Sequence, residues 1–314
     1  MKQIVAPTLR LGRASVRIVG SASAFPDVET TTEALVDRLA ADVPLARRRA
    51  MSAFFDQEVG VHRRAHLVSG FARDLALVAA RRALEEASVR APVAVVYATS
   101  TPSRWTAAES ALLARDLDLA CAFFDVRSGC TGGLHALVHA ARLARDADGP
   151  VLVVAADAFS KTFGNERLLP VTMGDGAAAL VLIPTERASE GVVRAVFGGA
   201  PDRVDLATVL GTLPPTSLEA SSWALSGDPT AFAESAEEAL LAALEALAPP
   251  ESAAIVVHTS RAATARRVAG AFGRTPYLGV LENHGNLGAP TLLAALDRLR
   301  REGVSHDVAL VSAG

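Results

Sequence analysis

The feature that most constrains this chain is that it repeats itself. The stretch APVAVVYATSTPSRWTAAESALLARDL, beginning at Ala91, resembles ESAAIVVHTSRAATARRVAGAFG, beginning at Glu251: an apolar run, a Thr-Ser loop, then a segment of helical period. A second pair follows at a similar offset. CTGGLHALVHAARLARDADGPVLVVAADA, starting at Cys130, matches NLGAPTLLAALDRLRREGVSHDVALVSAG, starting at Asn286. The chain therefore reads as two copies of one α/β unit, residues 1–185 and 186–314.

Within each copy, short valine-rich runs alternate with Ala/Leu/Arg segments, the pattern of buried strands separated by helices. Strands are expected at Val93–Tyr97, Ala122–Val126, Val151–Ala155, Ala177–Ile183, Ala253–Val257 and Val308–Ser312. Helices are expected at Phe71–Ala87, Ala107–Asp116, Leu134–Asp146, Ala231–Leu247, Arg261–Phe272 and Thr291–Glu302. Pro249-Pro250 stops a helix, and Pro201–Ser222 reads as irregular loop. Half of the 314 residues are apolar and 21% are charged, which excludes disorder and permits a large core. The copies differ at their ends. After Ala158 the first continues through Gly174-Asp175-Gly176 into another strand, whereas the second stops at Gly314. Either the natural chain lacks that strand or the sequence as given omits a C-terminal segment, and omission is the expectation because an open sheet edge there would expose apolar surface and unpaired backbone.

A balance of 31 Lys+Arg against 34 Asp+Glu, net charge -3, gives no bulk reason to expect nucleic acid or an anionic membrane as partner. Lys2, Arg10, Arg13 and Arg17 interrupt the N-terminal stretch, so it lacks the apolar run of a signal peptide. Two cysteines are too few for a disulfide framework or a thiolate metal site, and a cytoplasmic location is expected.

Cys130 follows a strand, opens a helix and is flanked by Gly129, Gly132 and Gly133. A helix N-terminus favours thiolate, so this cysteine is a candidate nucleophile as well as a candidate packed thiol. Cys121, in the apolar LACAFF, reads as packing. His258 ends a strand and could donate or accept a proton or simply be satisfied there. Asn286, in ENHGNLGAPT, could be a turn or cap, with His284 as a competitor for any functional role.

Taken together, Ser128-Gly129-Cys130, Gly174-Asp175-Gly176-Ala177-Ala178, the post-strand His258 and Gly285-Asn286 resemble β-ketoacyl-ACP synthase III of the thiolase superfamily. Gly60-Val61-His62-Arg63-Arg64 is similar to that family's Gly-Ile-x-x-Arg-Arg segment, and the resemblance runs in order from about Phe54 to the C-terminus. It implies a thiolase-like fold of α-β-α-β-α layers made of two duplicated halves, with Cys130 in the N-terminal half, His258 and Asn286 in the C-terminal half, and all three meeting at the base of a narrow tunnel. The activity implied is acyl transfer from a thioester to Cys130, then decarboxylative Claisen condensation with a malonyl thioester, His258 and Asn286 holding the enolate oxygen. Asparagine suits that oxygen better than a carboxylate would, because a fixed negative charge would repel the charge developing there. No permanently bound cofactor is implied, only an acyl-CoA or acyl-carrier-protein pantetheine thioester as substrate, with acyl carrier protein or coenzyme A as partner and a homodimer as the assembly.

By the same resemblance Phe54 replaces a tryptophan that, with Arg167, sandwiches the adenine of coenzyme A, and Glu58 replaces an arginine beside its phosphates. Thr259-Ser260-Arg261 stands where the family has Gln-Ala-Asn. Ala263 replaces a basic carrier-docking residue, a role that Arg63, Arg64, Arg261, Arg266 and Arg267 could fill. The terminal glycine loop that completes the family's oxyanion hole is cut off at Gly314. Trp105 is expected to reach a partner's acyl tunnel or to pack in its own subunit, and Glu109 to be an ordinary solvated or paired helix residue. These departures keep alive an acyltransferase that passes the acyl group to a hydroxyl or amine. A cysteine protease, with Cys, His and Asn in the same order, fits poorly with a mid-chain cysteine in a duplicated α/β frame, and a non-catalytic subunit fits poorly with an intact triad.

Overall fold

The computed structural model describes residues 9–104, 106–162, 169–187, 190–209 and 225–314. Its main strands are β1 (Val16–Ala24), β2 (Ala94–Ala98), β3 (Ala122–Val126), β4 (Val151–Ala158), β5 (Asp175–Pro184), β6 (Ala254–His258) and β7 (Val308–Ser312). The helices that pack on them are α1 (Ala72–Ala87), α2 (Glu109–Asp116), α3 (Gly132–Asp146), α4 (Pro229–Leu247), α5 (Ala262–Gly270) and α6 (Thr291–Arg301). One sheet has the order β1-β5-β4-β2-β3, with β2 parallel to β3 and β4, and β5 antiparallel to β4 and β1. The second pairs β6 with β7 in parallel, His258 opposite Ser312. The parallel pairs β2/β4 and β6/β7 are the repeated β-α-β unit.

Side chains alternate across a strand, and this period builds the layers. Ala94, Val96, Ala98, Val151, Val153 and Ala155 face a core shared with Ala136 and Ala140 of α3 and Leu292 and Leu293 of α6. Their neighbours Val95, Tyr97, Leu152, Val154 and Ala156 face α1, whose inner surface is Ala72, Ala76, Ala79, Ala80 and Ala83. That alanine face brings α1 so close to β1 that a Cβ on Gly20 would collide with the Ala83 carbonyl. On the other side Val256 meets the α3/α6 core, while Ile255 and Val257 pack with Leu240 and Leu244 of α4 and Val268 of α5. The order is helix, sheet, helix, sheet, helix: the expected duplicated α-β-α-β-α arrangement.

The six expected strands lie where the valine runs put them. Helix α2 begins at Glu109, two residues later than the pattern suggests, because Ala107 takes φ +69 and Asp125 accepts the Glu109 and Ser110 amides at 2.7 and 2.9 Å, capping the helix there. Strand β1 and the helices Thr32–Leu39 and Leu45–Phe54 escaped the reading. The region 201–222, read as loop, begins with a 3-10 turn at Pro201–Leu206 and a short strand at Ala207–Val209; residues 210–222 lie outside the described ones. Among the described residues β7 pairs only with β6. Its other side borders a cavity of about 1220 Å³, across which lies the stretch Val192–Gly199. No helix among the described residues is long and apolar enough to cross a membrane.

Candidate active site

Cys130 occupies one 3-10 turn, Gly129–Thr131, that feeds directly into α3. Gly129 has φ +52, where a side chain would strain the turn. Thr131 closes the turn by donating from Oγ1 to the Ser128 carbonyl at 2.6 Å. Gly133 is needed because a Cβ would collide with the Ala289 carbonyl; Gly132 lies against the Ala289 methyl. The glycines after Cys130 thus let the start of α3 back onto the loop that carries Asn286.

That loop is fixed from two sides. Asn286 bridges to Met173, donating its amide to the Thr172 carbonyl at 2.9 Å and accepting from Gly174 N–H at 3.0 Å. Its Oδ1 accepts from Gly288 N–H at 2.9 Å, which leaves Nδ2 as the donor of a nearly buried side chain. The Gly-Asp-Gly motif belongs to this crossing. A Cβ on Gly174 would collide with the His284 carbonyl, Gly176 packs on Phe25 and Leu287, and Asp175 accepts the Leu67 and Ser160 amides at 2.7 and 3.0 Å. The motif joins the two halves, with the Asp175 carboxylate engaged by the Leu67 and Ser160 amides.

His258 ends β6 with 3% of its surface exposed and Nδ1 without a partner among the described residues. Opposite it, Ser312 Oγ donates to the Cys130 carbonyl at 3.4 Å, and Gly314 packs on Cys130 so closely that a Cβ there would lie 2.8 Å from the cysteine Cβ. Through these contacts the C-terminal ends of β6 and β7 and the Asn286 loop approach the cysteine turn.

The electrostatics correct one expectation. Although Cys130 keeps part of its surface, burial pushes its thiol up to about 12, with the charge of Asp157 adding to the rise. Loss of hydration for an anion is the larger cause, and it favours the thiol over the thiolate. Burial lowers His258 to about 4, so this imidazole is neutral and able to accept a proton. His284 also falls to about 4, by burial first and then by Arg298 and Arg63, and its ring stacks on Phe25 at 3.7 Å.

Asp157, at the end of β4, escaped the sequence reading. It is fully buried, and its carboxylate accepts from Thr99 Oγ1, Ser100 N, Thr101 N and Thr101 Oγ1 at 2.6–3.1 Å and from Ala289 N at 2.9 Å. Burial nevertheless raises it to about 6, against those hydrogen bonds. The available signal was its position near the end of the VLVVAADA run, where the strand registers set Gly314 of the second copy.

Residues assigned to substrate delivery lie on the surface. Phe54 is 48% exposed and meets Phe55 edge-on at 5.7 Å. Arg261 is exposed at the N-cap of α5, and Arg267 pairs with Glu237 at 2.6 Å with Glu58 close enough to favour its charge further. Arg64 cannot dock a carrier. It is fully buried, donating to Thr32 Oγ1 at 2.6 Å and the Val61 carbonyl at 3.0 Å. Of the two expectations for Glu109 the paired one holds: it is 1% exposed, Oε1 accepts from Ser103 N and Oγ at 2.5 and 2.6 Å, and Oε2 lies 3.8 Å from Arg73 Nε. Trp105 and Arg167 lie outside the described residues. Among those described, no group of His, Cys, Asp and Glu is arranged to hold a metal.

Residues 124–201, which span the cysteine turn and the Gly-Asp-Gly motif, match the family model of 3-oxoacyl-[acyl-carrier-protein] synthase III. The fold matches the 3-oxoacyl-(acyl carrier protein) synthase III of Pseudomonas aeruginosa PAO1 with a TM-score of 0.81 at 23% identity, over 94% of this chain and 93% of that one. It matches the priming β-ketosynthase of the R1128 polyketide pathway with a TM-score of 0.82 at 24% identity, covering 98% and 95%. A Xanthomonas campestris OleA variant, solved with lauric acid and lauroyl-CoA, matches with a TM-score of 0.74 at 20% identity, covering 96% of each chain. The chain thus has the fold of these synthases and, over residues 124–201, a segment similar to 3-oxoacyl-[acyl-carrier-protein] synthase III.

Proposed function

We infer that this protein condenses acyl thioesters: Cys130 takes an acyl group from a pantetheine thioester and a malonyl thioester then extends it. The observation that carries the reading is the convergence on the Cys130 turn of the β6/β7 ends, where His258 lies, and the Asn286 loop. In the first step the Cys130 thiol attacks the thioester carbonyl, its proton passes to neutral His258, and the carrier thiol leaves with a proton. A protonated thiol and a neutral, buried imidazole support this order, since neither group carries charge before substrate arrives. In the second step the malonyl thioester loses carbon dioxide. Its enolate oxygen is held by donors from His258 and Asn286 Nδ2, the carbanion attacks the acyl-cysteine carbonyl, and the cysteine sulfur leaves as a thiolate that takes up one proton from solvent. Asn286 supports this step because its Oδ1 is engaged by Gly288 and its remaining group is a neutral donor.

The halves divide at 185/186 in this reading, just after β5 ends at Pro184. The working unit is a homodimer in the cytoplasm. Support comes from β3, an edge strand of the large sheet, where Ala122, Phe123 and Phe124 are exposed, the phenylalanines by 49% and 40%. A bare apolar edge suits pairing with its own copy about a twofold axis. Carrier-protein thioesters are the preferred donor. Phe54 offers a smaller stacking face than an indole, and Glu58 puts a carboxylate where a nucleotide phosphate would approach.

Product analysis tests the reaction. Acyl thioester plus malonyl thioester is expected to give a β-ketoacyl thioester and carbon dioxide. Transfer of the acyl group to an alcohol or amine, with no malonyl consumption, would overturn condensation in favour of O- or N-acylation.

A further inference from the structure

We propose that Asp157 is a positioning residue for the second step, a buried strut that holds the Asn286 loop against the cysteine turn. This rests on the reading that Asn286 stabilises the enolate. Four of the five hydrogen bonds to the carboxylate arrive at Oδ1 from residues 99–101 of the same half; the fifth, Ala289 N–H to Oδ2, comes from the other half. The contact is intimate. Gly288, at φ +75, leaves room for Oδ2, which would lie 2.7 Å from a Cβ there. Gly288 N–H in turn donates to Asn286 Oδ1, so Ala289, Gly288 and Asn286 form one short chain of fixed groups from Asp157 to the Asn286 amide. On its other side Ala289 touches Gly132 and Gly133, immediately after the cysteine turn. Asp157 also faces Cys130 and Tyr97 closely enough to disfavour negative charge on both.

The duplication makes this strut single. By the strand registers the residue matching Asp157 in the second copy is Gly314, so one carboxylate serves both halves. Neutral packing alone does not require such a group: a fully buried carboxylate is costly unless every lone pair is used, and here the donors are supplied from two loops.

Asp157→Asn separates the two ends of the strut. Its Oδ1 can still accept from residues 99–101, but an NH2 then confronts Ala289 N–H, leaving a buried donor without an acceptor. Single-turnover acylation of Cys130 is expected to stay within about threefold of wild type, while condensation of the preformed acyl-enzyme with malonyl thioester falls at least about a hundredfold. Iodoacetamide labelling of Cys130 at pH 8, read by peptide mapping, should accelerate about tenfold because a negative neighbour is gone, with Cys121 labelling unchanged. Gly288→Ala acts from the loop side, where its Cβ would meet the Phe159 ring as well as Oδ2, and should show the same step-selective loss, which keeps the test available if Asp157→Asn fails to fold. Equal loss in both steps, or unchanged condensation in a folded variant, would overturn the proposal. Asn286→Ala run in parallel separates the two ideas: if it condenses normally, the role of Asn286 fails; if it does not and Asp157→Asn does, the strut alone fails.

Discussion

In the first half, β4 lies between β2 and β5 and each of its eight residues is buried; in the second, its counterpart β7 pairs among the described residues with β6 alone and alternates half-buried with buried positions. Among the described residues the first copy is thus the more deeply packed platform and the second the more open one. The platform carries Cys130 and Asp157. The open half carries His258 and Asn286, and Asn286 is held largely by residues of the platform: Thr172, Gly174 and, through Ala289, Asp157. Geometry at the site is therefore set by the better-packed half, while the other half contributes groups to it.

The largest effect that would sharpen this contrast is at Asn286. Asn286→Ala should acylate at close to the wild-type rate and lose condensation by about 10²–10³-fold, because its donor acts only on the enolate. Rapid-quench measurement of each step separately checks it, and equal losses would erase the division of labour. Next comes packing. Leu152→Ala, in the more deeply packed sheet with no exposed surface, should lower unfolding free energy by about 3 kcal/mol, whereas Leu310→Ala, half-buried on β7, should cost about 1–2 kcal/mol. Urea titrations of both variants would break the comparison if the order reversed.

The two β-α-β units were legible before any coordinates because valine runs and helical periods are local signals, and duplication made each copy a check on the other. The strand Val16–Ala24 was not, since VRIVGSASA is short of large apolar residues and earns its place by lying under the alanine face of α1. At the site, Cys130, His258 and Asn286 were marked by chemistry and position. Asp157 was hidden because a carboxylate after an apolar run looks like a loop residue until its five donors, spread over residues 99–101 and 289, are brought together. Arg64 misled for the opposite reason: a charged pair in sequence, Arg63-Arg64, straddles a strand, so one guanidinium points out and the other is buried.

The pH response comes next in size. With His258 held near 4 by burial, acylation should persist to pH 5, where about 90% of the imidazole is still neutral; an ordinary histidine would be only about 3% neutral there. The sign follows from the neutral form being the proton acceptor: activity is present above the lowered pKa and lost as pH falls through it. A single-turnover pH profile with an acid limb near 6.5 would mean that His258 is solvated in solution. The smallest effect is at the surface. Glu58→Arg should raise the rate with acyl-CoA several-fold relative to acyl-carrier protein, and comparing one acyl group on both carriers would expose an unchanged ratio if Glu58 merely serves Arg267.

The most direct test of the account is peptide mapping of the wild-type protein after brief exposure to an acyl thioester, before and after malonyl thioester is added. The account predicts an acyl adduct on Cys130 and none on Cys121, discharged by malonyl thioester with release of a β-ketoacyl product. An adduct that still forms on the Cys130→Ala variant, or one on Cys130 that malonyl thioester leaves untouched, would contradict it.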